Sequence, residues 1–268
     1  MPWFQLTYFS IIALYFVGAV LYVAGLLGRR DGLKRTSLIL SSLGFVLHTL
    51  LLTHFLVNFS YDALDRGFYM RMLSWCVVAF FFLGWWLHKL EFLALIASPV
   101  ALLAFISSLA MPGVATAMGR TLSGALFYLH IFCLFTTMAL LVMAFGAGLL
   151  FMHQQRRIKS KQRMAGFHKD LPALSTFDRV NHWAIVAGFP LFTLGIISGF
   201  VGVAITWEKL ITWLSLLIWL IYALLFQLRT VHGWQGRKPA QGAIWLFLLI
   251  VAAMVVNFII PASQGFHP

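Results

Sequence analysis

Long apolar runs separated by short polar segments make up almost the whole chain. Eight of these runs approach or exceed 20 residues, about the length that an α-helix needs to cross a lipid bilayer. In chain order they cover 5–28, 37–58, 70–88, 91–111, 124–153, 184–206, 209–229 and 241–261. A chain inside lipid must satisfy its backbone hydrogen bonds internally, so each run is predicted to form a helix. We therefore expect an all-α polytopic membrane bundle of about eight transmembrane helices, with residues 1–268 forming one domain.

Composition supports this class. Hydrophobic residues make up 62% of the chain and charged residues 10%, with a mean hydropathy of +0.92. A soluble domain of 268 residues does not need so much apolar surface. The first run lacks a basic leading region and a small-residue cleavage site, so we expect a retained span rather than a signal peptide. Cys76 and Cys133 lie inside apolar runs and form no C-x-x-C motif, which argues against thiol redox chemistry or covalent heme attachment.

The basic residues predict the orientation in the membrane. Of the 19 Lys and Arg residues, only Arg66, Arg71, Arg120 and Lys209 fall on one side of the predicted bundle. Basic residues concentrate in cytoplasmic loops, so both termini are expected on the non-cytoplasmic side. The net charge of +12 is then mainly a signal of topology, with anionic membrane lipids as the expected partner. No folded basic domain is available, so nucleic acid is not expected as a partner.

One segment differs from the spans and the simple loops. Residues 172–183 mix apolar and charged positions, with possible N-caps at Ser175 and Asp178. This pattern predicts an interfacial amphipathic helix that leads into the sixth span. Within that span, Gly195-x-x-x-Gly199 predicts close packing against another helix.

Two histidines far apart in the sequence are expected at the same face of the membrane. His130 lies near the start of the fifth run, and His267 follows the eighth. Two imidazoles from different elements can hold one heme iron, provided that the fifth and eighth spans are neighbours. Aromatic residues at the non-cytoplasmic ends of the spans would supply an apolar wall, although such residues are common at any membrane interface. These residues are Phe127, Tyr128, Phe132, Trp207, Trp213 and Phe266.

The remaining histidines fall into two groups by depth. His48 and His54 lie within the second run, where a polar ring needs a partner. For His48 two readings stay open, a heme ligand or a hydrogen-bonded core histidine, while the core reading is favoured for His54. The others are expected to be solvated or interfacial side chains. They are His88, His153, His168, His182 and His232.

Four segments in the second half of the chain resemble a known family. They are LHIFCLFTTMALLVMAFGAGLLFMHQQRRIKSK at 129–161, FDRVNHWAIVAGFPLFTLGIISG at 177–199, TWLSLLIWLIYALLFQLRTVHGWQGRK at 212–238 and the ending VVNFIIPASQGFHP. In order and spacing they resemble the cytochrome c assembly family, which includes CcsA/ResC, CcmC and HemX-like membrane proteins. The resemblance covers most of 125–268, and GFVLHTLLL in the second run resembles the HemX and YpjD-like branch.

This resemblance implies a site and a role. His130 and His267 match the two external heme-ligating histidines of the family, and His48 becomes a candidate heme contact within the membrane. The implied cofactor is a non-covalent heme b. Because of their place at the helix ends, Phe127, Tyr128 and Trp207 are its expected aromatic contacts. The implied setting is the bacterial inner membrane, with a ResB-like or other cytochrome c maturation subunit as a partner.

Two departures from the family pattern limit the implied activity. The tryptophan-rich loop W-G-x-x-W-x-W-D of the synthase members is reduced to Trp207-Glu208 between the sixth and seventh runs. Gln227 replaces the intramembrane histidine of the family's G-W-R-G-R span, and Gln is not an ordinary strong iron ligand. We therefore expect no heme-lyase enzyme in this chain by itself.

The expected function is heme binding, relay or delivery in support of cytochrome c biogenesis. One alternative is a heme-free membrane scaffold or regulator of heme-synthesis enzymes, acting through the loop 154–171. A second alternative is a small-solute transporter. Against transport, no Asp or Glu falls deep within a run and the sequence shows no convincing internal repeat.

Overall fold

The structure is a computed structural model, and the residues that it describes form eight α-helices. It describes residues 2–58, 66–110, 122–160, 171–202 and 210–259. The helices are α1 Pro2–Gly28, α2 Asp31–Asn58, α3 Arg66–His88, α4 Ala94–Ser107, α5 Leu122–Lys159, α6 Leu174–Gly202, α7 Leu210–Thr230 and α8 Arg237–Ile259, with a 3-10 turn at Glu91–Leu93 before α4. The predicted all-α membrane bundle is confirmed in class.

The fourth predicted span is shorter than expected. Within the described residues, seven helices are long and apolar enough to cross a membrane, and Glu91–Ser107 is not one of them. Here α4 has 14 residues, or about 21 Å at the helical rise per residue. At its end the hydroxyls of Ser107 and Ser108 donate to the carbonyl oxygens of Ala104 and Phe105. Such bonds compete with continued helix formation.

The centre of the bundle is α5. It packs against α3, α4, α6 and α8, and 72% of its most apolar stretch is buried. The neighbourhood of the fifth and eighth spans, on which the predicted heme site depends, is therefore present. At 38 residues, α5 is about 57 Å long and extends beyond a hydrocarbon core of about 30 Å. Its last turn carries Arg156, Arg157 and Lys159, and we call this end of the bundle the basic end.

Small residues bring α5 and α6 close together. A Cβ atom built on Gly195 would lie 2.9 Å from Leu134 Cδ2 and 3.4 Å from Cys133 Cβ, both on α5. Such short distances show that the α6 backbone lies directly against α5 side chains at this point. Deeper in the interface, Asn181 Nδ2 donates to the carbonyl oxygen of Ala144 at 3.2 Å. The close packing predicted at Gly195 is thus present.

The predicted interfacial helix at 172–183 is not a separate element. Residues 174–202 form one continuous helix, α6. Ser175 and Asp178 consequently lie inside its first turns, so the prediction that they are N-caps is wrong. The mixed pattern of this segment has another cause, because Asp178 pairs with Arg229 of α7, while Arg179 is exposed.

Candidate heme site and the motif residues at the basic end

The His130 side chain is fixed by a backbone carbonyl of the neighbouring helix. His130 is half-buried in the third turn of α5, and its Nδ1 lies 2.6 Å from the carbonyl oxygen of Gly195 on α6. This reach is possible because Gly195 has no side chain to hold the helices apart. A carbonyl oxygen accepts only, so Nδ1 is assigned as the protonated nitrogen and Nε2 is left with its lone pair. Metal-bound histidines commonly show this arrangement.

The imidazole of His130 opens onto an apolar cavity of about 410 Å³ between five helices. We call it the His130 cavity. It is lined by Leu73 of α3, by His130, Leu134, Phe135, Thr137, Met138 and Leu141 of α5, by Phe192, Ile196 and Phe200 of α6, by Ile211, Thr212, Ser215 and Ile218 of α7, and by Ile250, Ala253 and Met254 of α8. A few polar groups in a mainly apolar concave wall are typical of small-molecule and cofactor sites, and the volume lies in their usual range.

The wall is built from other aromatic residues than the sequence suggested. Phe127 is buried in a small cluster with Leu52 and Phe68 and does not line the His130 cavity. Tyr128 is 40% exposed and contacts the edge of Phe127, at 5.9 Å between ring centroids. Phe132 and Trp213 are also exposed. The aromatic rings at the cavity are instead Phe135, Phe192 and Phe200.

Three predicted site residues lie outside the described part of the chain. They are His267, Trp207 and Phe266. The second iron ligand and the residual tryptophan of the external loop therefore stay predictions.

His48 lies in a different part of the bundle from His130. It is fully buried, and its Nδ1 lies 3.2 Å from the hydroxyl oxygen of Tyr15 on α1. Phe105 of α4 packs edge-on against the ring, at 4.8 Å between centroids. His48 does not line the His130 cavity. These contacts favour the hydrogen-bonded core histidine of the two readings.

The other described histidines are near the ends of the helices. His54 is half-buried between the rings of Trp3 and Phe4 at 5.2 and 5.3 Å. His88, His153 and His232 are exposed, as expected. His182 is half-buried at the basic end, and its Nδ1 accepts a hydrogen bond from Nε of Arg229 at 3.2 Å.

Arg229 joins two of the family-like segments at the basic end. It lies at the end of α7, and its side chain is 2% exposed. Its Nη1 donates to the Asp178 carboxylate at 2.9 Å, and its Nη2 donates to the Asp178 carbonyl oxygen at 2.7 Å. Nη1 also donates to the carbonyl oxygen of Trp234 at 2.8 Å. A guanidinium with so many aligned acceptors is strongly held, since hydrogen bonds to charged groups are the stronger ones.

The turn between α7 and α8 is hydrogen-bonded to the same Asp178 carboxylate. The backbone N–H of Gly236 donates to Asp178 Oδ1 at 2.9 Å. Gly233 and Gly236 have φ angles of +63° and +72°, a region that favours glycine. The Gly-x-x-Gly spacing of the third family-like segment thus permits the turn, and Asp178 of the second segment fastens it. We call Asp178, Arg229 and Gly236 the Asp178–Arg229 clamp.

Sequence reasoning missed the clamp because it counted Arg229 only as one more cytoplasmic charge. The sequence does contain a signal for the ion pair. The second family-like segment carries Asp178 and the third carries Arg229, at the same predicted membrane depth. Next to the clamp is a second cavity, of about 550 Å³, whose wall includes Phe151, His182 and Trp234. It opens at the basic end, whereas the His130 cavity lies towards the other end of α5.

Comparisons with known proteins cover the part of the chain that contains these residues. The sequence profile of the Cytochrome C assembly protein family matches residues 67–262. The chain is 26% identical to the Cytochrome c biogenesis protein CcsA of Mesostigma viride over 244 residues, which are 80% of this chain and 77% of that protein. It is 37% identical over 112 residues to the CcsA of Rippkaea orientalis and 32% identical over 103 residues to that of Microcystis aeruginosa.

These last two alignments cover 37% and 36% of this chain, and 32% and 30% of those relatives. The profile match is broader, because it extends from α3 to the end of α8 and includes both the His130 cavity and the Asp178–Arg229 clamp. The chain belongs to the cytochrome c assembly protein family.

Proposed function

We propose that this protein binds heme at the His130 cavity and handles it during cytochrome c biogenesis. Membership of the family supports a heme-handling role in that process. The observation that carries the proposal is the position of His130, whose Nδ1 is held by the Gly195 carbonyl while Nε2 remains for a ligand. The ring borders a mainly apolar cavity, as a non-covalent heme b requires.

Each part of the site has a distinct task in this proposal. His130 would be one axial ligand, and Gly195 would fix its tautomer and orientation. His267, outside the described residues, is proposed as the second ligand. Phe135, Phe192 and Met254 would exclude water from the bound group. The bound heme would supply the iron chemistry, and the chain would supply positioning, ligation and a low-dielectric surrounding.

The finer assignments rest on the resemblance and on the charge pattern. The resemblance implies the bacterial inner membrane as the location. We place both termini on the non-cytoplasmic side because the Lys and Arg residues concentrate at the basic end. The HemX and YpjD-like branch is favoured because the sequence between α6 and α7 lacks a tryptophan-rich motif. A chain of this branch would deliver or relay heme with a ResB-like or other maturation subunit and would not be a lyase by itself.

Absorption spectroscopy tests this proposal. Reduced-minus-oxidised spectra and a pyridine hemochrome assay would be recorded for the detergent-purified wild type, His130→Ala, His267→Ala and the double variant. His153→Ala is the matched control, because His153 is exposed near the other end of the same helix. A b-type spectrum that is weakened in each single variant, lost in the double variant and kept in the control is expected. A wild type that takes up no heme, even on reconstitution, would support the scaffold alternative.

A further inference from the structure

Two helix pairs of the bundle contain the same hydrogen-bonded unit. Trp75 Nε1 of α3 donates to Thr49 Oγ1 of α2 at 2.8 Å. In the second half, Trp219 Nε1 of α7 donates to Thr193 Oγ1 of α6 at 3.0 Å. Each threonine lies 26 residues before its tryptophan. The two threonines also donate to the carbonyl oxygen four residues earlier in their own helices.

The aromatic neighbours of this unit repeat as well. Phe45 lies 5.5 Å from Trp75 and 5.5 Å from Phe82, between ring centroids. Its counterpart Phe189 lies 6.0 Å from the Trp219 ring and 4.8 Å from the Phe226 ring. The number of residues from a position in the first half to its counterpart in the second half is the same for the threonines, the tryptophans and both pairs of phenylalanines. We call this number the common offset. The pattern Gly-Phe-x-Leu-x-Thr-Leu stands at 44–50 and again at 188–194.

Helix packing repeats in the same order. In the first half α1 packs on α2, α2 on α3, α3 on α4, and α4 on α1. In the second half α5 packs on α6, α6 on α7, α7 on α8, and α8 on α5. The eight described helices therefore form two four-helix halves that repeat one packing order, as parallel repeats in membrane proteins do. This overturns the expectation that the chain has no internal repeat, because only a few matched side chains mark the repeat in the sequence.

The common offset assigns a residue of the first half to each of several residues that line the His130 cavity. The cavity residues Phe192, Thr212, Ser215 and Ile218 have His48, Phe68, Arg71 and Ser74 as their counterparts. All four counterparts are buried, as are Phe192, Thr212 and Ile218 themselves, so the two halves differ here in the size of the side chains and not in burial. Phe68 and Arg71 are much larger than the Thr212 and Ser215 side chains that border open space in the second half.

Other side chains of the first half pack around these counterpart residues. The Arg71 guanidinium lies 5.0 Å from the ring centre of Phe55. Phe105 is fully buried beside His48, and Ser74 donates to the carbonyl oxygen of Ala101 on α4 at 2.8 Å. Among the described residues, Nε2 of His48 has no hydrogen-bond partner. In the first half, the buried Nε2 of His48 thus lies at the position that corresponds to Phe192 of the cavity wall, and large side chains surround it.

We propose that the α1–α4 half contains a closed counterpart of the His130 cavity, with His48 as its nitrogen donor and Phe68, Arg71 and Phe105 as the side chains that close it. These three residues limit the chain to one flat, mainly apolar ligand, which is bound in the α5–α8 half. The ligand class rests on the proposed function, whereas the closure does not.

Thiol accessibility tests the closure without any heme. In a background with Cys76→Ser and Cys133→Ser, Ile218→Cys and its counterpart Ser74→Cys would be treated with N-ethylmaleimide in the folded, detergent-purified protein. We expect labelling at position 218 and none at position 74. Equal labelling of the two positions would overturn the proposal, and this comparison needs no substitution among the closing residues.

Exchanging residues between the halves tests their roles. Arg71→Ser and Phe105→Ala, added to Ser74→Cys, are expected to open position 74 to the reagent. In the reverse exchange, Thr212→Phe is expected to abolish labelling of Ile218→Cys. Circular dichroism and thermal unfolding establish that each variant is folded. A folded opening variant that stays unlabelled at position 74 would contradict the assignment of the closing residues.

A heme titration then connects the closure to the ligand. In the opened variant with native His48, the heme bound per chain is expected to rise from about one to about two, and His48→Phe is expected to remove the gain. Thiol results as expected with no heme bound anywhere would refute the proposed function and leave the closed counterpart in place. Heme bound by the wild type together with equal labelling of positions 74 and 218 would refute the closed counterpart alone.

Discussion

Breaking the Asp178–Arg229 clamp should cost much of the stability of the α6–α8 region. Arg229→Gln removes a guanidinium that is 2% exposed and donates to the Asp178 carboxylate, two carbonyl oxygens and His182. Removing one partner of a buried ion pair costs about 3–5 kcal/mol, and the lower end applies because the Asp178 side chain is 21% exposed. We therefore expect the free energy of unfolding to fall by about 3 kcal/mol in Arg229→Gln.

A double-mutant cycle separates the ion pair from general damage. Asp178→Asn, Arg229→Gln and the double variant would be unfolded by SDS in mixed micelles, with tryptophan fluorescence as the signal. The double variant is expected to be little less stable than Arg229→Gln alone, because the two single substitutions break the same interaction. Lys238→Gln is the control, since this exposed lysine lies over the Trp234 ring at 5.0 Å and is not part of the clamp.

Additive effects in this cycle would refute the clamp. So would a loss in Arg229→Gln no larger than that in Lys238→Gln, which we expect to be below about 1 kcal/mol for an exposed cation–π contact.

Two further predictions concern helix packing. Gly195→Ala should weaken heme binding about 10- to 100-fold, because the added methyl group separates α6 from α5 and lengthens the hydrogen bond that orients His130. A heme titration measures this change, with Gly32→Ala as the control, because no atom lies within 4 Å of a Cβ built on Gly32. Equal heme affinities of the two variants would contradict the prediction. Trp75→Phe and Trp219→Phe should each lower the unfolding free energy by about 1 kcal/mol, since each removes one partly buried hydrogen bond. Unequal losses in SDS unfolding would speak against equivalent units.

The helices were largely predictable because the membrane imposes a minimum length and an apolar composition. Run length could not predict the ends of α4, where serine hydroxyls bind the last carbonyl oxygens. It also could not predict that α6 continues through 174–183, since the Asp178 carboxylate there accepts hydrogen bonds from Arg229 of α7 and Gly236 of the α7–α8 turn. Local pattern describes one helix at a time, and these features depend on a second helix.

The candidate site was predictable in part. His130 was identified from its position in a family-like segment, but its acceptor on Gly195 depends on the separation of two helices. Phe127 and Tyr128 at the helix ends are expected at the site from membrane depth alone. The structure shows that depth does not determine which side of a helix faces the cavity.

Exchangeable ligation tests the role of His130 most directly. His130→Gly would be titrated with heme in the absence and presence of millimolar imidazole, with His153→Gly as the control. The account predicts that His130→Gly loses the spectrum of the wild-type site and that imidazole restores it, because the free ring can occupy the space beside the Gly195 carbonyl. Unchanged heme affinity and spectrum in His130→Gly without imidazole would contradict the assignment of His130 as an iron ligand.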